Sequence, residues 1–132
     1  METNKNKIVL PYFENGIFAG VRVTLGDEDF AIASKDFQEG KTMSWMRAKD
    51  ILKSKGLDTW NYRQTCLTMA YRDEINKVLA DNDGDLLSNL YWIHANATPY
   101  GAFRYFGQNN TLEIISKYCP CRIRLVKNLK NA

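Results

Sequence analysis

The order of strand-like and helix-like segments constrains the fold of this chain more than any other feature of its sequence. Apolar and polar residues alternate from Val21 to Leu25, so residues 17–25 are predicted to form a strand. The turn at 26–29 leads into a returning strand over 30–34, which completes a hairpin. Helical segments follow, and then strand-like segments again. Strands and helices in separate blocks predict an α+β domain and exclude a regular βαβ repeat.

The first helical segment has an apolar stripe and a signal at each end. Trp45 and Leu52 lie on one face at helical spacing. Thr42 or Ser44 can cap the beginning by accepting a hydrogen bond from a free backbone N–H. Gly56 supplies the left-handed conformation that ends a helix.

A second helix is predicted over residues 65–79, where apolar residues again recur at helical spacing. The acidic segment 81–85 ends it. Carboxylates at alternate positions can bind calcium, but the EF-hand pattern fails here. Leu86 stands where that loop requires glycine, and Trp92 where it requires glutamate. A polar turn is therefore predicted instead of a metal site.

Four short strands are predicted in the C-terminal third, at residues 90–93, 102–106, 111–116 and 121–126. The second and third pair across the turn at 108–110. Together with the N-terminal hairpin, they give two helices packed on short twisted antiparallel sheets. Large apolar anchors then fix the helices to the sheets, and these are Trp45, Trp60 and Trp92.

Length and composition favour one globular domain. The chain has 132 residues, of which 45% are hydrophobic, enough to bury a core of its own. We expect residues 1–16 to form an N-terminal extension or first strand and residues 17–132 a single domain. No apolar run approaches ~18 residues, so membrane insertion is not expected. No export signal precedes Pro11, so the cytoplasm is the default compartment, with a phage particle or cell surface as alternatives.

The net charge of +3 hides an asymmetry along the chain. A basic C-terminal third can attract anions. However, the sequence contains no run of five basic residues and no nucleic-acid motif, so nucleic acid is not an expected partner. A solvated strand face is the favoured interpretation. The basic residues of segment 86–132 are Arg104, Lys117, Arg122, Arg124, Lys127 and Lys130, against Glu113 alone.

The three cysteines do not predict a disulfide framework or a metal site. Cys119 and Cys121 are too close along the chain for a relaxed disulfide, and Cys66 leaves an odd number. On a strand, the Cys-Pro-Cys thiols share a face with Ile123, which predicts small buried apolar side chains. His94 is the single histidine, and neither a metal nor a cofactor is predicted.

Several motifs, taken in order, resemble a known bacterial family. They are Ser44-Trp45-x-x-Ala48, Gly56-x-x-x-Trp60, Tyr91-Trp92, Ala102-x-x-x-Phe106-Gly107, Lys117 and Arg122-Ile-Arg-Leu-Val-Lys127. The pattern is similar to the lectin-like family found as the C-terminal domain of the Lcl collagen-like adhesin. This resemblance implies a C-type lectin-like fold in a protein of a bacterium or its phage. Formylglycine-generating enzymes and the variable proteins of phage diversity-generating retroelements share that fold.

A lectin-like scaffold implies a ligand surface in loops carried by a rigid core. The candidate surface combines the loop 94–101 with the turn 108–110. Aromatic faces and neutral hydrogen-bonding groups suit such a surface, although ordinary polar loops would look the same. The candidate ligand-binding residues are His94, Asn96, Thr98, Tyr100, Arg104, Tyr105 and Asn109.

The expected function is therefore a non-catalytic lectin-like binding module that recognises a protein or glycan through the loops of residues 94–110. Catalysis is not expected, because no phosphate loop, metalloprotease motif or CxxC is present. Two alternatives stay open. One is a cysteine-dependent enzyme on a formylglycine-generating-enzyme-like scaffold, using Cys119 and Cys121. The other is a small anion- or nucleic-acid-binding protein that uses its basic C-terminal strand.

Overall fold

A computed structural model describes residues 7–14, 18–95 and 98–129, so the candidate residue Asn96 lies outside the described residues. Over these ranges the chain forms two antiparallel sheets and three helices, and the predicted α+β class is confirmed. The elements are β1 (Ile8–Glu14), β2 (Phe18–Leu25), β3 (Glu28–Asp36), α1 (Trp45–Lys55), α2 (Tyr62–Ala70), α3 (Arg72–Asp81), β4 (Leu90–Trp92), β5 (Gly101–Phe106), β6 (Thr111–Ser116) and β7 (Arg124–Asn128).

The first sheet has the strand order β1-β2-β3-β7. The predicted hairpin is confirmed as β2 and β3, with Gly26 in the left-handed region at φ 61°. The chain then leaves this sheet to form the helices and the second sheet, and β7 returns to pair with β3. The strands are packed closely at Gly20, where a Cβ atom would lie 1.8 Å from the carbonyl oxygen of Ile32.

The second sheet has the order β4-β5-β6 and contains three of the predicted C-terminal strands. The last predicted strand begins later than expected. Residues Cys121 and Arg122 make only isolated bridges, to Met43 and Tyr91, before regular pairing starts at Arg124. These bridges join the segment before β7 to the approach to α1 and to β4.

The prediction of two helices is wrong, because the second helical segment is divided at Tyr71 into α2 and α3. Tyr71 has φ −121° and ψ 26°, which interrupts the helical path. The helix also begins before the predicted residue 65, since Asn61 and Gln64 form a capping box. The Asn61 side chain accepts a 2.7 Å bond from the Gln64 N–H, and the Asn61 N–H donates a 3.0 Å bond to Gln64 Oε1.

The first helix follows its sequence signals more closely. The Ser44 side chain, one of the two predicted caps, accepts a bond from the Arg47 N–H. Gly56 ends α1 in the left-handed conformation, at φ 66°. Ala48 and Leu52 are the buried residues of this helix, so one apolar face is directed inward.

Two apolar clusters form the core. The larger one places Trp60 among the first sheet, α3 and the second sheet, and the Trp60 side chain is 0% exposed. The smaller one surrounds Trp92 and Cys121 beneath α1. Both tryptophans are therefore core anchors. Trp45, also predicted as an anchor, is only half-buried because it begins α1 at the surface beside Lys117.

The expectation of a solvated basic face on the last strand is wrong for Arg124, which is 0% exposed. Burying a guanidinium requires partners for its donors, and the end of β3 supplies them. Arg124 donates to Asp36 Oδ1 at 2.8 Å, to the Ala33 carbonyl at 2.7 Å and to the Ser34 carbonyl at 3.1 Å. The Asp85 carbonyl accepts a further bond.

Candidate functional site

A cleft of about 260 Å³ lies between α1 and the segment that follows β4. Its inner surface is apolar, with Ala48 and Leu52 from the helix facing Trp92 and Ile93. The helical repeat explains this arrangement. Residues four apart lie on the same helix face, so Ala48 and Leu52 both pack inward. The residue that follows each of them lies at the edge of the cleft.

The residues at this edge are Lys49 and Lys53, which give the cleft a basic edge along α1. The Lys49 Nζ atom lies 5.0 Å from the centre of the Trp45 ring, and Lys117 Nζ lies 4.4 Å from the same ring. Among the described residues, the Lys53 side chain has no hydrogen-bond or ion-pair partner. One edge of an apolar cleft therefore carries positive charge that the fold leaves largely uncompensated.

The lining of the cleft also contains a histidine–carboxylate pair. His94 Nδ1 lies 2.9 Å from Asp58 Oδ1, and both side chains are more than half exposed. The segments that carry them are held in place by the backbone, since the His94 N–H donates a 2.7 Å bond to the Trp60 carbonyl. Asp58 Oδ1 also accepts a 2.8 Å bond from the Thr59 N–H.

Ser-His-Asp-type catalysis would require a hydroxyl or thiol within reach of this pair. The hydroxyl among the described residues lining the cleft belongs to Thr59, which is buried and donates a 2.6 Å bond to the Arg124 carbonyl. The hydroxyl is therefore directed away from His94 and into the core. The cleft offers apolar contact, positive charge and a polar His94–Asp58 pair, which is chemistry suited to recognition.

The predicted ligand surface is only partly assembled. His94 lines the cleft. Thr98 and Tyr100 lie just before β5, where the Thr98 hydroxyl accepts a 2.8 Å bond from the Gly101 N–H. Tyr100 is 81% exposed. These residues are at the same end of β5, whereas Asn109 lies beyond Phe106 at the other end. The two ends are separated by about 17 Å of strand.

Two further candidate residues are occupied within the second sheet. Tyr105 is buried, its ring centre lies 5.5 Å from that of Trp60, and its hydroxyl donates to Asn110 Oδ1 at 2.8 Å. Burial raises the pKa of Tyr105 to about 12. Arg104 is bound across the strands to Glu113, at 2.7 and 2.9 Å. Both side chains therefore already have hydrogen-bond partners in or beside the second sheet.

The residues predicted from the sequence do not include the cleft residues on and after α1, which are Lys49, Lys53, Leu57 and Asp58. The spacing of the two lysines beside Ala48 and Leu52 carried a usable signal, because it predicts a basic edge next to an apolar face. No sequence signal indicated the Asp58–His94 contact, because it joins residues 36 positions apart.

The buried thiol of Cys121 is not activated for reaction. Cys121 is buried, as predicted, and burial raises the pKa of its thiol to about 11. Cys119 is half-buried and Cys66 is exposed on α2. A raised pKa keeps the thiol protonated and poorly nucleophilic at neutral pH. Within the described ranges, His, Cys, Asp and Glu side chains form no group of three that could hold a metal.

Comparisons with known proteins identify no family for this chain. A scan against protein-family models finds no match, and a search of curated proteins finds none. Among the helices of the described ranges, none combines the length and apolar character needed to cross a membrane.

Proposed function

We propose that the chain is a non-catalytic binding module of a bacterium or its phage, which recognises a protein or glycan through the cleft between α1 and His94. The observation that carries the proposal is the cleft itself, an apolar concavity of about 260 Å³ with a small number of polar groups at its edges. Ligand sites usually combine apolar walls with a few polar groups that fix orientation. The His94 end of the predicted loop surface belongs to this proposal, and the Asn109 turn does not.

The proposal includes a C-type lectin-like fold. Its support is the order of the motifs together with one topological feature, the return of β7 to pair with β3. The helices and the second sheet lie between these two strands in sequence. The cleft lies within this inserted region, between α1 and the segment after β4, so ligand recognition and fold are proposed together.

The cysteine-dependent enzyme receives no support from the site. Cys121 has the raised pKa of a buried thiol, and Cys119 precedes it on a half-buried turn. An enzymatic nucleophile requires the opposite electrostatic environment, one that stabilises the thiolate. The alternative of an anion- or nucleic-acid-binding protein is also less well supported. Arg124, one of the basic residues of its C-terminal strand, is buried in the core.

Glycan and peptide arrays, probed with the full chain and two matched variants, test the proposal. Leu57→Trp fills the mouth of the cleft without changing its charge, and Leu57 is 40% exposed, so the core is undisturbed. Leu86→Trp is the control, since Leu86 is 44% exposed and does not line the cleft. Thermal melting checks that both variants fold.

We expect wild type and L86W to bind the same array ligands and L57W to lose them by at least about tenfold. Ligands that L57W retains would contradict the proposal, because binding would then occur elsewhere. Silence of the wild-type chain on both arrays would also contradict it.

A further inference from the structure

We infer that the cleft receives an acidic peptide segment of a partner protein, which inserts one apolar side chain and places a carboxylate against Lys49 and Lys53. The inference rests on the proposed function and selects a peptide over a glycan. Three properties of the cleft lead to it, namely its bonded polar groups, its size and the charge along its edge.

The hydrogen-bonding groups at the base of the cleft are already used. The Trp92 indole N–H donates a 2.8 Å bond to the Met43 carbonyl, and the Thr59 hydroxyl donates to the Arg124 carbonyl. Ala48 and Leu52 add purely apolar surface. A sugar ring placed here would lose water from its hydroxyls without gaining partners, which costs free energy. An apolar side chain loses no hydrogen bonds and gains burial.

The size of the cleft also favours a side chain. Its volume of about 260 Å³ lies just below the range for small-molecule sites, which begins at about 300 Å³. This space fits one aromatic or large aliphatic group. An oligosaccharide or the whole face of a helix would extend well beyond it, so the remainder of the occupant must run along the surface.

Charge complementarity indicates the chemistry of the part of the occupant that runs along the surface. Lys49 and Lys53 lie one helical turn apart on the edge of the cleft. Within the described ranges the Lys53 ammonium has no hydrogen-bond or ion-pair partner, and the Lys49 ammonium lies over the Trp45 ring without an ion pair. Asp58, which also lines the cleft, is already paired with His94. A carboxylate next to the inserted side chain would therefore meet two available cations.

The same helix offers a control of equal charge. Arg47 and Lys55 are exposed residues of α1 that do not line the cleft. The double variants K49E/K53E and R47E/K55E change the net charge identically and alter surface positions only. A long-range attraction between an acidic peptide and a basic helix would be weakened equally by both, whereas contact at the cleft edge would be weakened by the first.

The test is calorimetric titration of the full chain at pH 7.5 with the acetylated, amidated peptide Glu-Asp-Phe-Asp-Glu. Two further peptides replace Phe by Ala, or all four acids by their amides. We expect wild type to bind the parent peptide, and each replacement to weaken binding at least about fivefold. K49E/K53E should weaken parent binding at least about tenfold, and R47E/K55E less than about threefold.

Two results would overturn the inference while leaving the cleft as the site. In the first, the acidic and amide peptides bind with equal affinity, or the two double variants weaken binding equally, and in either case L57W still loses binding. The other is no peptide binding up to about 1 mM alongside a glycan whose binding L57W abolishes. If neither peptide nor glycan binds the wild-type chain, the proposed function falls together with the inference.

Discussion

Arg124 in β7 donates a 2.8 Å hydrogen bond to Asp36 at the end of β3, and both side chains are buried. Tyr91 in β4 donates to the same carboxylate oxygen at 2.7 Å, so the contact links the two sheets. Arg122 donates to the other carboxylate oxygen, also at 2.7 Å. The Arg124 carbonyl accepts the Thr59 hydroxyl, which lines the cleft. The buried pair therefore positions one wall of the proposed site.

Arg124→Met is expected to lower the free energy of unfolding by about 3–5 kcal/mol, because it removes one of the two guanidinium partners of the buried Asp36 carboxylate and the donors to the Ala33 and Ser34 carbonyls. Denaturant titration measures the change. Arg22→Met is the matched control, since the Arg22–Asp29 pair is partly exposed, and it should cost no more than about 1 kcal/mol. Equal losses in the two variants would show that the buried cluster does not carry this stability.

Alkylation separates the exposed and buried thiols. Iodoacetamide at neutral pH should modify Cys66 at least about tenfold faster than Cys121, since Cys121 is buried and its pKa is raised to about 11. Mass spectrometry of digested protein measures both rates, and unfolded protein is the control in which the difference should vanish. Rapid native labelling of Cys121 would instead revive the cysteine-dependent enzyme.

The same pKa predicts a trend in stability with pH. The folded state holds the Cys121 proton more tightly than the unfolded state, so this stabilisation is complete below the ordinary pKa of a thiol. It is lost as the pH rises toward about 11. Unfolding titrations of wild type and Cys121→Ala from pH 8 to 11 should converge. A wild-type advantage unchanged across that interval would contradict the burial of the thiol.

Gly20→Ala tests the close packing of β2 against β3. The added Cβ would lie 1.8 Å from the Ile32 carbonyl oxygen, so the strands must separate, and we expect a loss of more than about 2 kcal/mol. Gly26→Ala is the comparison, because a Cβ there meets nothing within 4 Å and suffers only from φ 61°. That variant should lose about 1 kcal/mol in denaturant titration. A larger loss for G26A than for G20A would contradict the register.

Local patterns predicted most of the elements. The hairpin was predicted from the alternation along its strands, and α1 from its apolar stripe and capping residues. Gly26 in the hairpin turn and Gly56 after α1 both adopt the left-handed conformation. The break at Tyr71 could not be predicted, because no proline or glycine interrupts the helical pattern there. Burial of Arg124 was equally hidden, as its partner Asp36 is 88 positions away.

The site was predicted less well than the fold, for a geometric reason. An antiparallel hairpin separates the loop before its first strand from the turn after that strand. The predicted strand 102–106 therefore already implied that Asn109 and Thr98 lie at opposite ends. Alternation along the same strand also implied different faces for Arg104 and Tyr105. The approach of α1 to His94 and the Asp58–His94 contact required tertiary structure.

Amide NMR of the isotopically labelled full chain, titrated with a ligand selected from the arrays, tests most directly whether ligand enters the cleft. The spectrum reports every backbone N–H along the chain, so it compares the two ends of β5 in one experiment. We expect the largest shift changes at residues 45–53, 57–59 and 92–94, which surround the cleft. Shift changes confined to the turn at 107–110 or to β1, with the shifts of the cleft residues unchanged, would contradict ligand binding in the cleft.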